Sequence, residues 1–365
     1  MLNFAPTEEQ EEICQLAQTL AVDHLRPQGR EAERAGDVPA DLLRTLAQTG
    51  LTTPFSEALG GSGALDAVTY TLIAEELGAG DGAIAMHVLG SLAGCAAVAL
   101  AGDEQQQRAY LPPFCDPNTG HTHLASLAFA ERHGGYTLDE ISTTARREGD
   151  TWIVNGSKRA VVHGASAHPR VVLARLDGQP GLHGLCALVL ANDTPGLSVI
   201  PDERKLGLQA VPGATLTFEN ARVPADNLLG ESGHPGVTRA AVLYQLLRAG
   251  IACGSARAAL EYASDYARER VAFGRPIVSY QGIAFMIAEM AMKLDAARLY
   301  LWRAAMSWDR DVELTTLARE AEAAQHQALK IAKAATIDAI QILGGAGFIQ
   351  DHPVEMWARN AAALD

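Results

Sequence analysis

Near its C-terminus the chain carries the sequence QILGGAGF at residues 341–348, directly after an apolar run that begins at about Ile331. Glycine is unfavourable inside a helix and favoured just beyond a helix end, so this stretch predicts a helix that ends near Leu343. Its glycines leave the backbone bare, and a flat or charged ligand can approach a bare backbone closely. Such glycines more often mark only a helix end than a ligand-contacting loop, so the other motifs of the chain are needed to distinguish these two interpretations.

The composition is that of a soluble globular protein. With 365 residues, 48% of them hydrophobic and 20% charged, the chain is predicted to form two or three domains. The formal net charge of −14, without any cluster of Lys and Arg, argues against nucleic acid or an anionic membrane as the main partner. The five cysteines lie far apart, so neither a disulfide framework nor a metal site is predicted, and a cytoplasmic location fits best. The apolar run at 84–101 is interrupted by His, Ser and Gly, which favours a buried helix over a membrane span.

The hydrophobic periodicity divides the chain into three parts. Residues 1–120 show helical spacing, and the first helix is expected to end near Leu25, ahead of Pro27. Residues 121–232 contain short runs of strand-forming residues, which predict an antiparallel β barrel or sandwich. Residues 233–365 return to long helical patterns that can bury their apolar stripes only against one another, which predicts a four-helix bundle. The predicted fold class is mainly α with a β domain in the middle.

Several motifs in this order resemble the acyl-CoA dehydrogenase family across essentially the whole chain. They are KLG at 205–207, YARERVAFGRPI at 266–277 followed by Gln281, QILGGAGF at 341–348, and PVE at 353–355 followed by Arg359. The resemblance implies a tetramer of helix–β–helix subunits that binds FAD between protomers. It also implies that a carboxylate removes the α-proton of an acyl-CoA thioester while the β-hydrogen leaves as hydride to the flavin, and that an electron-transfer flavoprotein or a similar acceptor reoxidises the flavin.

The catalytic base of the family has no match in this sequence. Most members place it as a Glu shortly after the Arg that matches Arg359, and the sequence stops at Asp365, before that position. A second group places it in the first long helix of the bundle, just before an Arg, where this chain has Tyr244 and Gln245. Tyrosine, with an ordinary pKa of about 10, is a poor base for this step. No catalytic residue is therefore assigned to this chain.

The residues that contact the flavin ring in the family are also replaced. The family motif Thr-Glu-Pro-x-x-Gly-Ser-Asp corresponds to AERHGGYT at 130–137, so Ala130 stands for the Thr and Tyr136 for the Ser. Because losing a partner at a buried hydrogen-bonding position costs about 1–3 kcal/mol, these changes predict weak binding of the ring.

A second ring-contact motif is altered in the same way. The family pattern Gly-x-Lys-x-Trp-Ile-Thr-x-Gly corresponds to GSKRAVVHG at 156–164, where Ala160 replaces the Trp and Val162 replaces the Thr. The neighbouring His163, like His133 in the first motif, is expected at the surface. The β domain of this chain is therefore predicted to hold a flavin ring poorly.

The groups that contact the FAD pyrophosphate and adenine are, by contrast, all present. In the family they belong to the Arg-x-x-Phe-Gly element, the Gln that follows it, and the Gln-x-x-Gly-Gly loop, and they reach a FAD that is seated mainly in the neighbouring subunit. The matching residues are Arg270, Phe273, Gln281, Gln341, Gly344 and Gly345. Arginine binds phosphate through charge-assisted hydrogen bonds, and glycine allows close approach of the backbone. The chain keeps the half of the site that serves a partner and lacks the half that would serve itself.

This division leads to the hypothesis of a partner subunit in a heteromeric FAD-dependent acyl-CoA dehydrogenase. A related chain would supply the base and the isoalloxazine pocket, as in α2β2 enzymes of actinobacterial type that act on CoA esters of steroid side chains. Two alternatives stay open. One is a complete homotetrameric dehydrogenase whose base lies in a C-terminal segment beyond Asp365, and the other is a flavin-free interaction protein with the same fold.

Overall fold

The computed structural model describes residues 5–63, 65–131, 137–177, 179–202 and 204–364. His133, Tyr136 and Asp365, which were singled out from the sequence, lie outside these ranges.

The N-terminal part of the described chain is helical. Its α-helices are α1 Glu8–Leu20, α2 Arg26–Ala35, α3 Ala40–Gln48, α4 Ala67–Gly80, α5 Gly82–Ala101, α6 Glu104–Tyr110 and α7 Pro112–Cys115. Helix α5 is long and apolar enough to cross a membrane by length and composition alone, but 78% of its apolar window is buried inside the protein. It lies in the core, where the sequence predicted a buried helix.

The prediction that the first helix ends near Leu25 is wrong. Residues Ala21–Leu25 form a turn of π-helix, and α2 begins directly afterwards at Arg26. The Arg26 backbone N–H donates to the carbonyl of Ala21, five residues back, so the hydrogen-bond ladder is shifted. Pro27 then lies in the first turn of α2, where its missing N–H is not needed. The π-turn thus lets the helical segment continue through Pro27, which the sequence pattern indicated as a helix end.

The middle domain is a twisted sheet. Its strands are β1 Ser126–Ala128, β2 Thr144–Glu148, β3 Thr151–Val162, β4 Arg170–Leu176, β5 Leu185–Leu190, β6 Leu197–Pro201 and β7 Gly213–Pro224. The order is β1-β4-β2-β3-β7-β6, with β5 paired to β4. The antiparallel prediction is right for β2–β3, β3–β7, β4–β5 and β6–β7 and wrong for β1–β4 and β2–β4, which are parallel. Parallel neighbours are joined by long connections, and the composition of the strands does not encode these connections.

Long helices form the C-terminal domain. They are α8 Pro235–Glu269, α9 Gln281–Asp309, α10 Leu314–Leu343 and α11 Val354–Ala363, with a short hairpin of β8 Val271–Ala272 and β9 Arg275–Pro276 between α8 and α9. A 3₁₀ turn at Gly344–Phe348 follows α10, which ends where the glycines predicted. The fold class of helical, β and helical domains is confirmed.

Helix α8 joins the N-terminal helices to the bundle through direct backbone contact with α4. A Cβ atom on Gly254 would lie 2.0 Å from the Glu75 carbonyl oxygen, and one on Gly78 would lie 2.5 Å from the Ile251 carbonyl oxygen. The buried Glu75 carboxylate next to this contact accepts a hydrogen bond of 2.8 Å from Arg298 Nε on α9. The two glycines therefore set how closely α4 and α8 approach, and an ion pair fixes α9 beside them.

The substitution Gly254→Ala tests this close contact. We expect it to lower the free energy of unfolding by about 1–3 kcal/mol or more, because an added methyl group overlaps backbone that cannot move away. The matched control is Gly282→Ala at the start of α9, where an added Cβ meets nothing within 4 Å. The control should be neutral or stabilise by up to about 1 kcal/mol. Urea unfolding of both variants measures the difference, and equal stabilities would contradict the packing argument.

Candidate functional site

A small cavity lies where the sequence motifs converge, between α5, α8, the end of β3 and the end of α11. Its lining residues are Met86, Ala160, Val162, Asp202, Lys205, Leu208, Val211, Gly213, Tyr244, Arg248, Ala363 and Leu364. The structure thus brings the two replaced ring-contact positions together with Tyr244, which matches the alternative base position. The cavity volume is ≈ 70 Å³, whereas sites for small molecules usually measure roughly 300–1,000 Å³.

Side chains of the protein itself line two sides of this cavity, and Ala160 in its lining is exposed. Helix α5 packs directly on the end of β3, because Gly90 lets the helix come so near that a Cβ there would lie 2.7 Å from Val162 Cγ1. On the α8 side, the buried Arg248 guanidinium donates to the Leu364 carbonyl and lies 5.9 Å from the Tyr244 ring centroid. Burying a cation requires polar partners, and the end of α11 supplies one.

Two buried histidines brace the wall next to Val162. His163 is fully buried, so the expectation of a surface position is wrong. Its Nε2 lies 2.8 Å from the His87 carbonyl oxygen, His87 Nδ1 lies 3.2 Å from the Ala210 carbonyl oxygen, and the ring centroids are 4.4 Å apart. Burial lowers the pKa of His87 to about 4 and that of His163 to about 3. Both rings are neutral near pH 7 and tie α5, β3 and the loop before β7 together.

A buried ion pair holds the start of the β domain in place. Lys158 Nζ lies 2.8 Å from Glu131 Oε1 and donates to the Phe129 carbonyl at 3.1 Å. Burial by itself would raise the pKa of Glu131, but the charge of Lys158 and hydrogen bonds from Ser142 and Thr143 lower that pKa to about 2. Neither Glu131 nor Lys158 was predicted from the sequence as a site residue, although both are unchanged members of the two ring-contact motifs. The Lys158–Glu131 ion pair therefore joins the two motifs.

The six residues that match the pyrophosphate and adenine contacts lie elsewhere, at one end of the C-terminal bundle. Arg270 caps α8 with its N–H donating to the Tyr266 carbonyl at 2.8 Å, and Gln281 begins α9. Gln341 lies in the last turn of α10, and Gly344 and Gly345 follow, where an added Cβ would meet nothing within 4 Å. Because α9 runs back between α8 and α10, the ends of α8 and α10 meet at the same end of the bundle. All six residues are exposed, and Phe273 is 97% exposed in a left-handed conformation with φ 53°.

An apolar surface adjoins this end of the bundle. Helix α9 exposes Phe285 by 66%, Met292 by 66% and Leu299 by 48%. These positions repeat every seventh residue, so they form one stripe along the helix. Phe348 and Ile349 extend the exposed apolar area around the glycine turn. Several exposed large apolar residues near one end of a domain favour a protein–protein interface there.

Comparison with known proteins identifies the class. Family models described as the N-terminal, middle and C-terminal domains of acyl-CoA dehydrogenase match residues 7–117, 126–221 and 236–365. The chain belongs to the acyl-CoA dehydrogenase family, whose cofactor is FAD.

Individual relatives span almost the full length of the chain. It is 34% identical to an acyl-CoA dehydrogenase of Bacillus subtilis over 97% of this chain and 93% of that protein. The solved butyryl-CoA dehydrogenase of Megasphaera elsdenii is 30% identical with a TM-score of 0.84, covering 100% of this chain and 95% of that one. A chain from the structure of the electron transferring flavoprotein of Acidaminococcus fermentans is 32% identical with a TM-score of 0.85, covering 100% and 94%.

The residues present offer FAD different groups at the two places. At the cavity, Ala160 and Val162 carry no side-chain hydrogen-bonding group for a flavin ring. At the bundle end, the exposed Arg270 and the open backbone of Gly344 and Gly345 suit a pyrophosphate.

The buried pair of His87 and His163 predicts how the free energy of unfolding depends on pH. Both folded-state pKa values lie below the ordinary value of 6.5, so the unfolded chain binds more protons between pH 6.5 and pH 4. The contribution of the two neutral histidines to the free energy of unfolding is therefore fully present above about pH 6.5. It falls as the pH drops, by about 2 kcal/mol per histidine at pH 5. Urea unfolding at pH 7, 6 and 5 should show a shallower loss for His163→Gln than for the wild type. The control is His326→Gln at an exposed position on α10, which should show the same pH dependence as the wild type. If the free energy of unfolding depends on pH identically in all three proteins, the buried histidine pair does not cause the dependence.

Proposed function

We propose that this chain is one subunit of a heteromeric FAD-dependent acyl-CoA dehydrogenase that desaturates an acyl-CoA thioester between its α and β carbons. One contrast carries the proposal: Ala160 and Val162 stand at the positions that match the family's ring contacts, beside a cavity of ≈ 70 Å³, while the phosphate-contact residues are complete and exposed. A chain that had lost FAD altogether would have no reason to keep only the second set.

The two chains divide the chemistry between them. When bound, FAD accepts the hydride that leaves the β-carbon. The partner supplies the carboxylate base and the pocket for the isoalloxazine ring. This chain contributes the side chains of Arg270, Phe273, Gln281 and Gln341, together with the backbone of Gly344 and Gly345, to the pyrophosphate and adenine of a FAD seated in the partner. Charge-assisted hydrogen bonds from a guanidinium are the strongest contacts in this set.

The proposed partner is a related acyl-CoA dehydrogenase subunit in an α2β2 heterotetramer. The α9 stripe of Phe285, Met292 and Leu299 and the exposed Phe273 and Phe348 lie on the bundle that carries the phosphate contacts. A partner that covers this apolar surface would bring its own FAD to the bundle end. A helical face of a related chain suits a stripe with a seven-residue repeat.

The substrate and the acceptor follow from the family resemblance. The substrate is an acyl-CoA thioester, and the likeness to α2β2 actinobacterial enzymes favours a CoA ester of a steroid side chain. The electron acceptor is an electron-transfer flavoprotein or a similar protein. The location is the cytoplasm, in keeping with the five free cysteines, none of which forms a disulfide in the described chain.

Co-expression tests the division of labour. The chain is produced alone and with each related acyl-CoA dehydrogenase chain encoded beside it, and flavin absorbance per chain and enoyl-CoA formation are measured. We expect flavin and activity only in a co-purified complex, with about one FAD for two chains. Full flavin content and activity of the chain alone would instead establish a homotetramer, and a stable complex without flavin would establish an interaction protein.

The substitution Arg270→Ala tests the contribution in trans. We expect FAD to bind the complex roughly ten- to hundredfold more weakly, because a hydrogen-bonded charge is removed from the phosphate. The control is Arg268→Ala in the same turn, an exposed residue that pairs with Asp265 at 2.8 Å. Fluorescence titration of apo-complex with FAD measures both. Unchanged affinity in Arg270→Ala would rule out the proposed role.

A further inference from the structure

The residues proposed to contact FAD lie on two segments, one around Arg270 at the end of α8 and one at Gly344 and Gly345 after α10. A cluster of aromatic side chains connects these two segments. Tyr262 Oη on α8 lies 2.7 Å from Nδ1 of His352, a residue of the segment between Phe348 and α11. The next turn of α8 adds Tyr266, whose ring meets the His352 ring edge to face at 5.9 Å and 86°. His352 is therefore held by two tyrosines that are one helical turn apart.

Each side of this joint leads directly to a proposed FAD contact. On the α8 side, the Tyr266 carbonyl accepts the hydrogen bond from the Arg270 N–H at 2.8 Å. On the other side, the His352 N–H donates to the Ile349 carbonyl at 3.2 Å, and that residue closes the turn that begins at Gly344. The turn is itself pressed onto α10, since a Cβ at Gly347 would lie 2.6 Å from the Ile340 carbonyl oxygen. A shift of His352 would move the glycine turn relative to Arg270.

A second layer keeps the joint rigid. The buried Trp357 on α11 meets the Tyr262 ring at 5.8 Å and 88°, and the Arg26 guanidinium lies 5.6 Å from the Trp357 ring centroid. Arg30 Nη2 reaches the His352 carbonyl at 3.5 Å. These contacts hold the Tyr262 side chain in place, so its hydroxyl gives the His352 imidazole a hydrogen-bonding partner in a fixed position.

We infer that the Tyr262–His352 hydrogen bond is a positioning device that sets the spacing between Arg270 and the backbone of Gly344 and Gly345. A diphosphate can bind a guanidinium and a stretch of backbone at the same time only if their separation is fixed, because displacements of about 1 Å lose most of the benefit of preorganisation. The inference rests on the proposed function, since it concerns the same phosphate contacts. It adds two residues that do not touch FAD themselves.

Four variants isolate the hydrogen bond from the rings. Tyr262→Phe removes only the hydroxyl, and Tyr266→Phe is the matched control, since its contact with His352 is made by the ring. His352→Leu removes the hydrogen-bonding imidazole, while His352→Asn restores, near the position of Nδ1, an amide that can either accept or donate a hydrogen bond. Thermal unfolding confirms that each variant is folded. If His352→Leu does not fold, Tyr262→Phe carries the test alone.

The first measurement uses the chain by itself. Amide hydrogen exchange of the peptides that cover residues 344–350 should be faster in Tyr262→Phe and His352→Leu than in the wild type, with no change in the body of α10. Tyr266→Phe and His352→Asn should match the wild type. Equal exchange in all variants, or equal acceleration in Tyr262→Phe and Tyr266→Phe, would overturn the inference.

The second measurement uses the complex with the partner chain. FAD affinity should fall about three- to tenfold in Tyr262→Phe and in His352→Leu, the range expected for one hydrogen bond, and the double variant should be no weaker than either single one. If Arg270→Ala weakens FAD binding while Tyr262→Phe and His352→Leu do not, only the positioning role is wrong. If Arg270→Ala has no effect either, the proposed function fails and this inference fails with it.

Discussion

The structure depends on the close backbone contact between α4 and α8. Gly78 and Gly254 let the two helices approach until carbonyl oxygens of one lie where a Cβ of the other would be. This contact makes α8 a helix of both helical domains at once, buried along most of its length. The orientation of α8 then determines what its middle residues and its C-terminus can do, because a helix of 35 residues moves as one body.

Two parts of α8 lie in different surroundings for this reason. Tyr244 and Arg248 line the cavity together with residues of α5, β3 and α11. At the end, Arg270 leaves the helix into solvent beside the turn at Gly344–Phe348. One helix thus contributes to the cavity and, at its end, to the exposed residues proposed to contact FAD, and the Tyr262–His352 bond lies between the two.

Particular elements show how far local sequence predicts the molecule. The end of α10 was predictable, because a glycine at Gly344 with φ 60° is a local requirement of the helix terminus. The passage through Pro27 was not, because a π-turn depends on packing and not on a residue pattern. The parallel strand pairs and the burial of His163 also depended on distant partners: β4 for β1 and β2, and α5 for the histidine.

By itself the sequence determined the order of the domains, the presence of Ala160 and Val162 where the family has Trp and Thr, and the presence of Arg270, Gln341 and the glycines, because periodicity and side-chain identity are properties of short stretches. Only the tertiary structure decided that Tyr244 and Arg248 line one cavity with Ala160 and Val162, that His87 and His163 are buried in contact with each other, and that Tyr262 is hydrogen-bonded to His352. These features join residues 76, 90 and 116 positions apart, as in His163–His87, Tyr262–His352 and Arg248–Leu364. No local pattern specifies such pairs, since their distance is set by how elements far apart in the sequence pack against one another.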